Sequence, residues 1–213
     1  MPRPVNPRRY DTSRRRAAAE ETRRAVLLAA RELFTRDGYA ATSVAAVAAE
    51  AGVAVDTVYS SVGRKPQVLL AVHDLELGEG DAVPAQERAY VVAVRAAPGA
   101  AAKIRTYADA LGRLLPRTVP LLEALRAAAV DDTDCRRTWQ QVSDRRAAHM
   151  LLFAADLRTT GELRDDLGDA DVARLVWTMN GPEYFALLAS QGASPSDYAD
   201  LVADVWTRTL LRR

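Results

Sequence analysis

Ala48, Gly52 and Val58 stand in an A-x3-G-x5-V arrangement, with Tyr59 directly after and Lys65 six residues further on. Each has a job in a helix-turn-helix. Two helices that cross closely need a small residue such as Ala48 at the crossing. A tight turn needs a residue that accepts positive φ, here Gly52, and Val58 turns the inner face of the second helix to the core. A unit of this kind lays its second helix in the major groove of double-stranded DNA, where outward side chains reach base edges and phosphates. The outward set is Val55, Asp56, Thr57, Tyr59, Ser60 and Ser61. Thr42 and Ser43, at the N-terminus of the first helix, are placed to hydrogen-bond a phosphate beside free backbone N–H groups. Lys65 brings a point charge to the DNA backbone.

Helices must position these residues, and the sequence marks them. Val26, Ala29, Ala30, Leu33 and Phe34 recur at three- and four-residue steps, and Asp37-Gly38 closes that run. Thr42 is the expected N-cap of a short helix with Val44, Val47, Ala48 and Ala51 on one side, which Gly52 breaks. A third short helix covers about residues 54–62, and Pro66 opens a fourth with Val68, Leu69 and Val72 inward. The stretch "LGEGDAVP" at 77–84 reads as its end and a link. The rest is also helical, punctuated at 96–100, at Pro116 to Pro120, and at 131–134, 159–169 and 190–197, with no hairpin signal between. The expected fold is all-α, with about nine helices. Residues 1–13 form a disordered basic arm, 14–65 a three-helix helix-turn-helix domain, 66–82 a connecting helix and link, and 83–213 a C-terminal helical bundle.

Charge follows the same division. Residues 1–73 hold 12 Lys and Arg against 7 Asp and Glu, a net of +5, whereas residues 74–213 hold 17 against 21, a net of −4. A polyanion-binding head on an acidic body shows this pattern, although an arginine tail accounts for much of it. Arg14, Arg15 and Arg16 either follow the DNA backbone or enter a minor groove. The single Cys135 leaves no intramolecular disulfide, and with His73 and His149 far apart in sequence there is no metal-ligand spacing. No glycine-rich phosphate loop is present either, so an enzyme is not expected, nor a cofactor. No apolar run is long enough to span a bilayer, which points to the cytoplasm and no membrane partner.

The stretch "ELFTRDGYAATSVAAVAAEAGVAVDTVYSSVGRKPQVLLAV" resembles the DNA-binding region of the TetR family of transcriptional regulators. Leu33, Phe34, Gly38, Tyr39, Thr42, Ser43, Val47, Ala48, Ala51, Gly52, Val53, Val58, Tyr59, Lys65 and Leu69 all fall on the family's pattern. Three positions depart from it: Val62 replaces an aromatic, Ser61 a histidine or tyrosine, and Ala54 the serine cap of the second helix. Asp56 adds a carboxylate that either accepts from a cytosine amino group or repels phosphate. The C-terminal part is similar, more loosely, to the family's effector-binding and dimerisation domain through Trp177, Pro182, Glu183, Tyr184, Leu187, Gly192, Ser194 and Tyr198.

That resemblance implies a ligand-responsive regulator, a repressor, that binds a palindromic DNA operator as a homodimer and is released by a small-molecule effector. Large or polar members of aliphatic helices are the candidate ligand contacts: Tyr107, Trp139, His149, Met150, Phe153, Trp177, Met179 and Asn180. Asn180, beside Gly181-Pro182, either lines a pocket or marks a bend. Leu187, Leu188, Leu201, Val205, Trp206 and Leu210 are the candidate dimer surface, where the family places a two-fold four-helix interface. Arg136-Arg137 and Arg145-Arg146 read as solvated faces, and Cys135 as a loop residue without a role. The alternative is a helical interaction or ligand-binding protein with a degenerate DNA-binding head.

Overall fold

The computed structural model describes residues 12–212. Eleven α-helices run through them: α1 (Thr12–Arg36), α2 (Gly38–Ala41), α3 (Val44–Glu50), α4 (Val55–Ser61), α5 (Lys65–Leu77), α6 (Ala89–Ala96), α7 (Gly99–Ala128), α8 (Thr133–Arg158), α9 (Asp169–Met179), α10 (Pro182–Ser190) and α11 (Pro195–Leu210). A 3-10 turn, Ala85–Glu87, precedes α6. The fold is all-α, with somewhat more helices than the nine expected. Among the described residues the only extended pairing is a bridge between Leu163 and Leu211, which ties the α8–α9 loop to the end of α11. Of the basic arm expected at 1–13, residues 1–11 lie outside the described residues, and Thr12 already opens α1.

The short α2 is a helix that was not expected, and prolines move boundaries in both directions. Pro116 and Pro120 were expected to punctuate the chain, yet α7 passes through both. Each removes one backbone hydrogen bond, but both rings face solvent, four residues apart on the outer side. On the inner side Leu111, Leu115, Val119 and Leu122 are buried, and that packing holds the helix together. Pro182 does break the chain. Gly181 before it is extended (φ −75, ψ 152), so α9 and α10 form where one helix was expected.

Caps fix the ends. Ser43, rather than Thr42, caps α3 by accepting from the Ala46 amide at 3.0 Å. Ser194 and Asp197 cap α11 reciprocally.

Two apolar cores result. The head core joins Val26, Leu33 and Phe34 of α1, Val47 and Ala48 of α3, Val58 of α4 and Val68, Leu69 and Val72 of α5 with Leu121, Leu122 and Leu125 of α7 and Val142 of α8. The body core gathers Ile104, Tyr107, Leu111, Phe153, Val176, Tyr198, Val202, Trp206 and Leu210. Helix α5 belongs to the first and borders the second.

Candidate functional site

The turn between α3 and α4 is made by Gly52 at φ +67, a left-handed conformation that any side chain would strain. With Ala48 and Val58 buried beneath it, α4 presents its other face to solvent. Tyr59 is 48% exposed and Val55 38%, with Asp56 and Ser60 beside them. Thr57 and Ser61 are half-buried, and the Ser61 hydroxyl donates to the Thr57 carbonyl at 2.6 Å.

Two expected phosphate contacts are placed differently. The Thr42 side chain is buried, and its hydroxyl donates to the carbonyls of Gly38 at 2.8 Å and Leu33 at 3.3 Å, which locks α2 to α1. Lys65 is half-buried; its ammonium lies 4.2 Å above the Tyr39 ring and donates to the Ala40 carbonyl at 3.3 Å. Burial lowers its pKa. It braces α5 against α2, and only the remaining N–H bonds are free for a phosphate. Arg14, Arg15 and Arg16 are exposed on the first turns of α1, where Arg16 pairs with Glu20 at 3.3 Å. Ser43 is exposed, but its hydroxyl is engaged as the α3 cap.

The body holds a cavity of about 140 Å³ between α5, α6, α7, α8 and the α9–α10 break. Of the candidate ligand contacts, Tyr107, His149, Met150, Phe153 and Asn180 line it; Trp139, Trp177 and Met179 do not. Trp139 packs on the head core instead, because the first turns of α8 lie under α5. Trp177 takes the Arg146 guanidinium over its ring at 5.2 Å, and Met179 gives its carbonyl to the Tyr198 hydroxyl at 2.8 Å.

At one end of the cavity the α9–α10 break becomes a polar network. Asn180 donates to the Tyr107 hydroxyl at 2.9 Å, while its side-chain carbonyl accepts from Arg146 at 2.7 Å. Arg146 also donates to the Trp177 carbonyl at 2.9 Å. Asn180 therefore lines the pocket and also closes the break, so its two readings hold together.

The other end is formed by α5, and sequence reasoning missed it. Asp74 accepts from Arg145 at 2.6 and 3.0 Å and from Arg88 at 3.2 Å. Against the upward pull of burial, His73 and Arg145 hold its carboxyl well below the usual range. His73 is buried, with Nδ1 3.8 Å from Asp74 and without a hydrogen-bond partner; the Nε of buried Arg88 also lacks one. Burial pushes the His73 and His149 imidazoles down, with Arg145 and Arg88 adding to the effect, so both are neutral near pH 7. The two histidines, far apart in sequence, meet in one cavity. Arg145 and Arg146 are accordingly not a solvated face. Their signal was the helical step to Arg145, His149 and Leu152 and to Arg146, Met150 and Phe153, two adjacent stripes that line the cavity.

Cys135 is also corrected: it is buried in the first turn of α8, with Sγ 3.2 Å from the Tyr39 hydroxyl. Of the expected dimer surface, Leu187 is 61% and Leu201 39% exposed, while Leu188 and Val205 are half-buried. Trp206 and Leu210 are buried; Trp206 stacks on Tyr107 at 5.8 Å, so both belong to the body core. No group of His, Cys, Asp and Glu among the described residues could hold a metal. Nor is any helix among them long and apolar enough to cross a membrane.

Residues 26–72, the segment just described as the head, match the family model of bacterial regulatory proteins, tetR family. This segment is a TetR-family DNA-binding domain. Members are DNA-binding, ligand-binding transcription factors and not enzymes. Solved structures share the fold of the chain over most of its length. A transcriptional regulator of Saccharomonospora viridis in complex with choline is 18% identical over 91% of this chain and 100% of its own, with a TM-score of 0.66. The SmeT–triclosan complex is 17% identical over 90% and 92%, at 0.61. NalD of Pseudomonas aeruginosa, the secondary repressor of the MexAB-OprM multidrug efflux pump, is 20% identical over 91% and 98%, at 0.60. No curated protein matches the chain.

Proposed function

We propose that this TetR-family protein is a cytoplasmic repressor that binds a palindromic operator as a homodimer and leaves it when a small molecule fills the body cavity. The supporting observation is the double membership of α5. Its Val68, Leu69 and Val72 are part of the head core, while His73 and Leu77 line the cavity and Asp74 is gripped by Arg145 of α8. A ligand that moves the cavity wall therefore moves the helix on which α1, α3 and α4 are packed. NalD is a repressor, and two relatives hold choline and triclosan, which favours the same roles here. Leu175 of α9, Leu187 of α10 and Leu201 of α11 are exposed apolar side chains of the kind a second copy would cover. Such a pair sets its two α4 helices about one DNA turn apart, roughly 34 Å.

The test is selection of bound sequences from random duplex DNA at two salt concentrations, with Tyr59→Ala as control. An enriched palindrome, lost in the variant and weakened by salt, is expected. No enrichment for either protein would overturn the reading and leave a helical ligand-binding protein with a degenerate head.

A further inference from the structure

The cavity is charged, and in one direction. Arg88, Arg95, Arg145 and Arg146 line it, against the single carboxylate of Asp156. That carboxylate is already occupied, because the buried Lys103 ammonium binds it at 2.9 Å. Arg146 donates to two neutral oxygens and forms no ion pair among the described residues. At the α5 end two guanidinium groups share one carboxylate, Asp74, and the buried Arg88 Nε–H is left without an acceptor. Buried donors without acceptors are costly, and a site of this composition is completed by an anion with two oxygens. The rest of the wall is apolar, from Val94, Leu111, Leu115 and Phe153. About 140 Å³ is room for one aromatic ring.

We propose that the ligand class of this cavity is a small aromatic carboxylate, whose carboxylate sits at Arg88 and Arg145 and draws Arg145 away from Asp74 of α5. The ring lies on the aliphatic wall toward Phe153. Two carboxylates facing two guanidinium groups make the cluster neutral, and the Asp74–Arg145 pair is weakened as Arg145 is shared. A quaternary ammonium ligand such as the choline held by the Saccharomonospora viridis regulator would meet the wrong charge here. The proposal rests on the repressor reading only for its effect at DNA; the binding itself stands apart from it.

The experiment is calorimetric titration of the full chain with 3-phenylpropionate, 3-phenylpropionamide and (2-phenylethyl)trimethylammonium, three probes with one ring and similar length. The carboxylate should bind, the amide about tenfold or more weaker, and the ammonium not measurably. Asp74→Asn, which removes the internal competitor, should tighten the carboxylate and leave the amide unchanged. Arg145→Lys, which keeps the charge but not the fork, should weaken the carboxylate about tenfold. Equal binding of acid and amide, preference for the ammonium, or no heat with the acid at millimolar concentration would each overturn the proposal. Should Asp74→Asn not fold, the three-probe comparison on the unaltered chain decides alone. Operator affinity is measured in the same samples. Binding of the acid with no change at the operator removes the release step of the repressor reading and leaves this proposal intact. Release by the ammonium compound alone does the reverse.

Discussion

The buried hydroxyl of the helix-turn-helix closes locally, whereas several buried or half-buried polar groups of the body close at long range. In the head, Thr42 is the buried polar side chain of the helix-turn-helix, and its hydroxyl is satisfied four and nine residues away. In the body, Asn180 reaches Tyr107 across 73 residues, Lys103 reaches Asp156 across 53, and Arg145 reaches Asp74 across 71. One donor there, the Arg88 Nε–H, is not satisfied at all, and the buried His73 Nδ1 has no partner either. A region whose polar groups close locally holds one shape, as a DNA-reading surface must. A region whose polar groups close at long range, and incompletely, has bonds that a ligand can complete or exchange. Helix α5 carries both kinds of contact, which is why it can connect the two.

The largest test of that contrast is Leu69→Ala. This fully buried side chain packs in the head core, and its truncation should cost ~2–5 kcal/mol in denaturant unfolding, with no rescue by any cavity ligand. Arg146→Met should cost less, about 1–3 kcal/mol, because it leaves the Asn180 and Trp177 oxygens without their donor. If the two losses came out in the reverse order, the head would not be the stiffer unit.

Acid should act on the body first. Burial depresses the pKa of His73 and His149, so the unfolded chain takes up protons as pH falls through about 6.5 while the folded chain resists. Stability is therefore full above that pH and declines below it. Asp74, also depressed, contributes its loss only in stronger acid. A thermal melt series from pH 7.5 to 5 should show a falling midpoint, and His73→Gln should flatten the slope. The smallest stability effect belongs to Tyr59→Ala on the exposed face of α4. It should stay within ~0.5 kcal/mol in the same melts yet reduce operator affinity.

The same contrast explains what could be read from the sequence. The head was legible because its determinants are close together: Gly52 needs its turn, Ala48 its crossing and Val58 its core position, all within eleven residues. At Thr42 and Lys65 the sequence did not show that a local acceptor or ring also engages the side chain expected at DNA. The cavity was only half legible. Tyr107, His149, Met150, Phe153 and Asn180 stood out as large or polar residues in apolar helices, but periodicity does not tell which way a tryptophan such as Trp139 or Trp177 will turn. Asp74, Arg88 and Arg145 looked like ordinary surface charge because their meeting depends on how α5, α6 and α8 pack. Trp206 and Leu210 show the converse: apolar spacing marks a buried face without saying whether the chain itself or a second copy buries it.

On the function proposed above, α5 carries the state of the cavity to the head through Asp74 and Arg145. Fluorescence anisotropy of the selected operator duplex, with the unaltered chain and with Arg145→Gln and with helical content checked in parallel, decides whether it does. Cutting this contact, on the body side of α5 and away from α4, should change operator affinity at least about tenfold while helical content is retained. An unchanged operator affinity in a folded Arg145→Gln protein would contradict it.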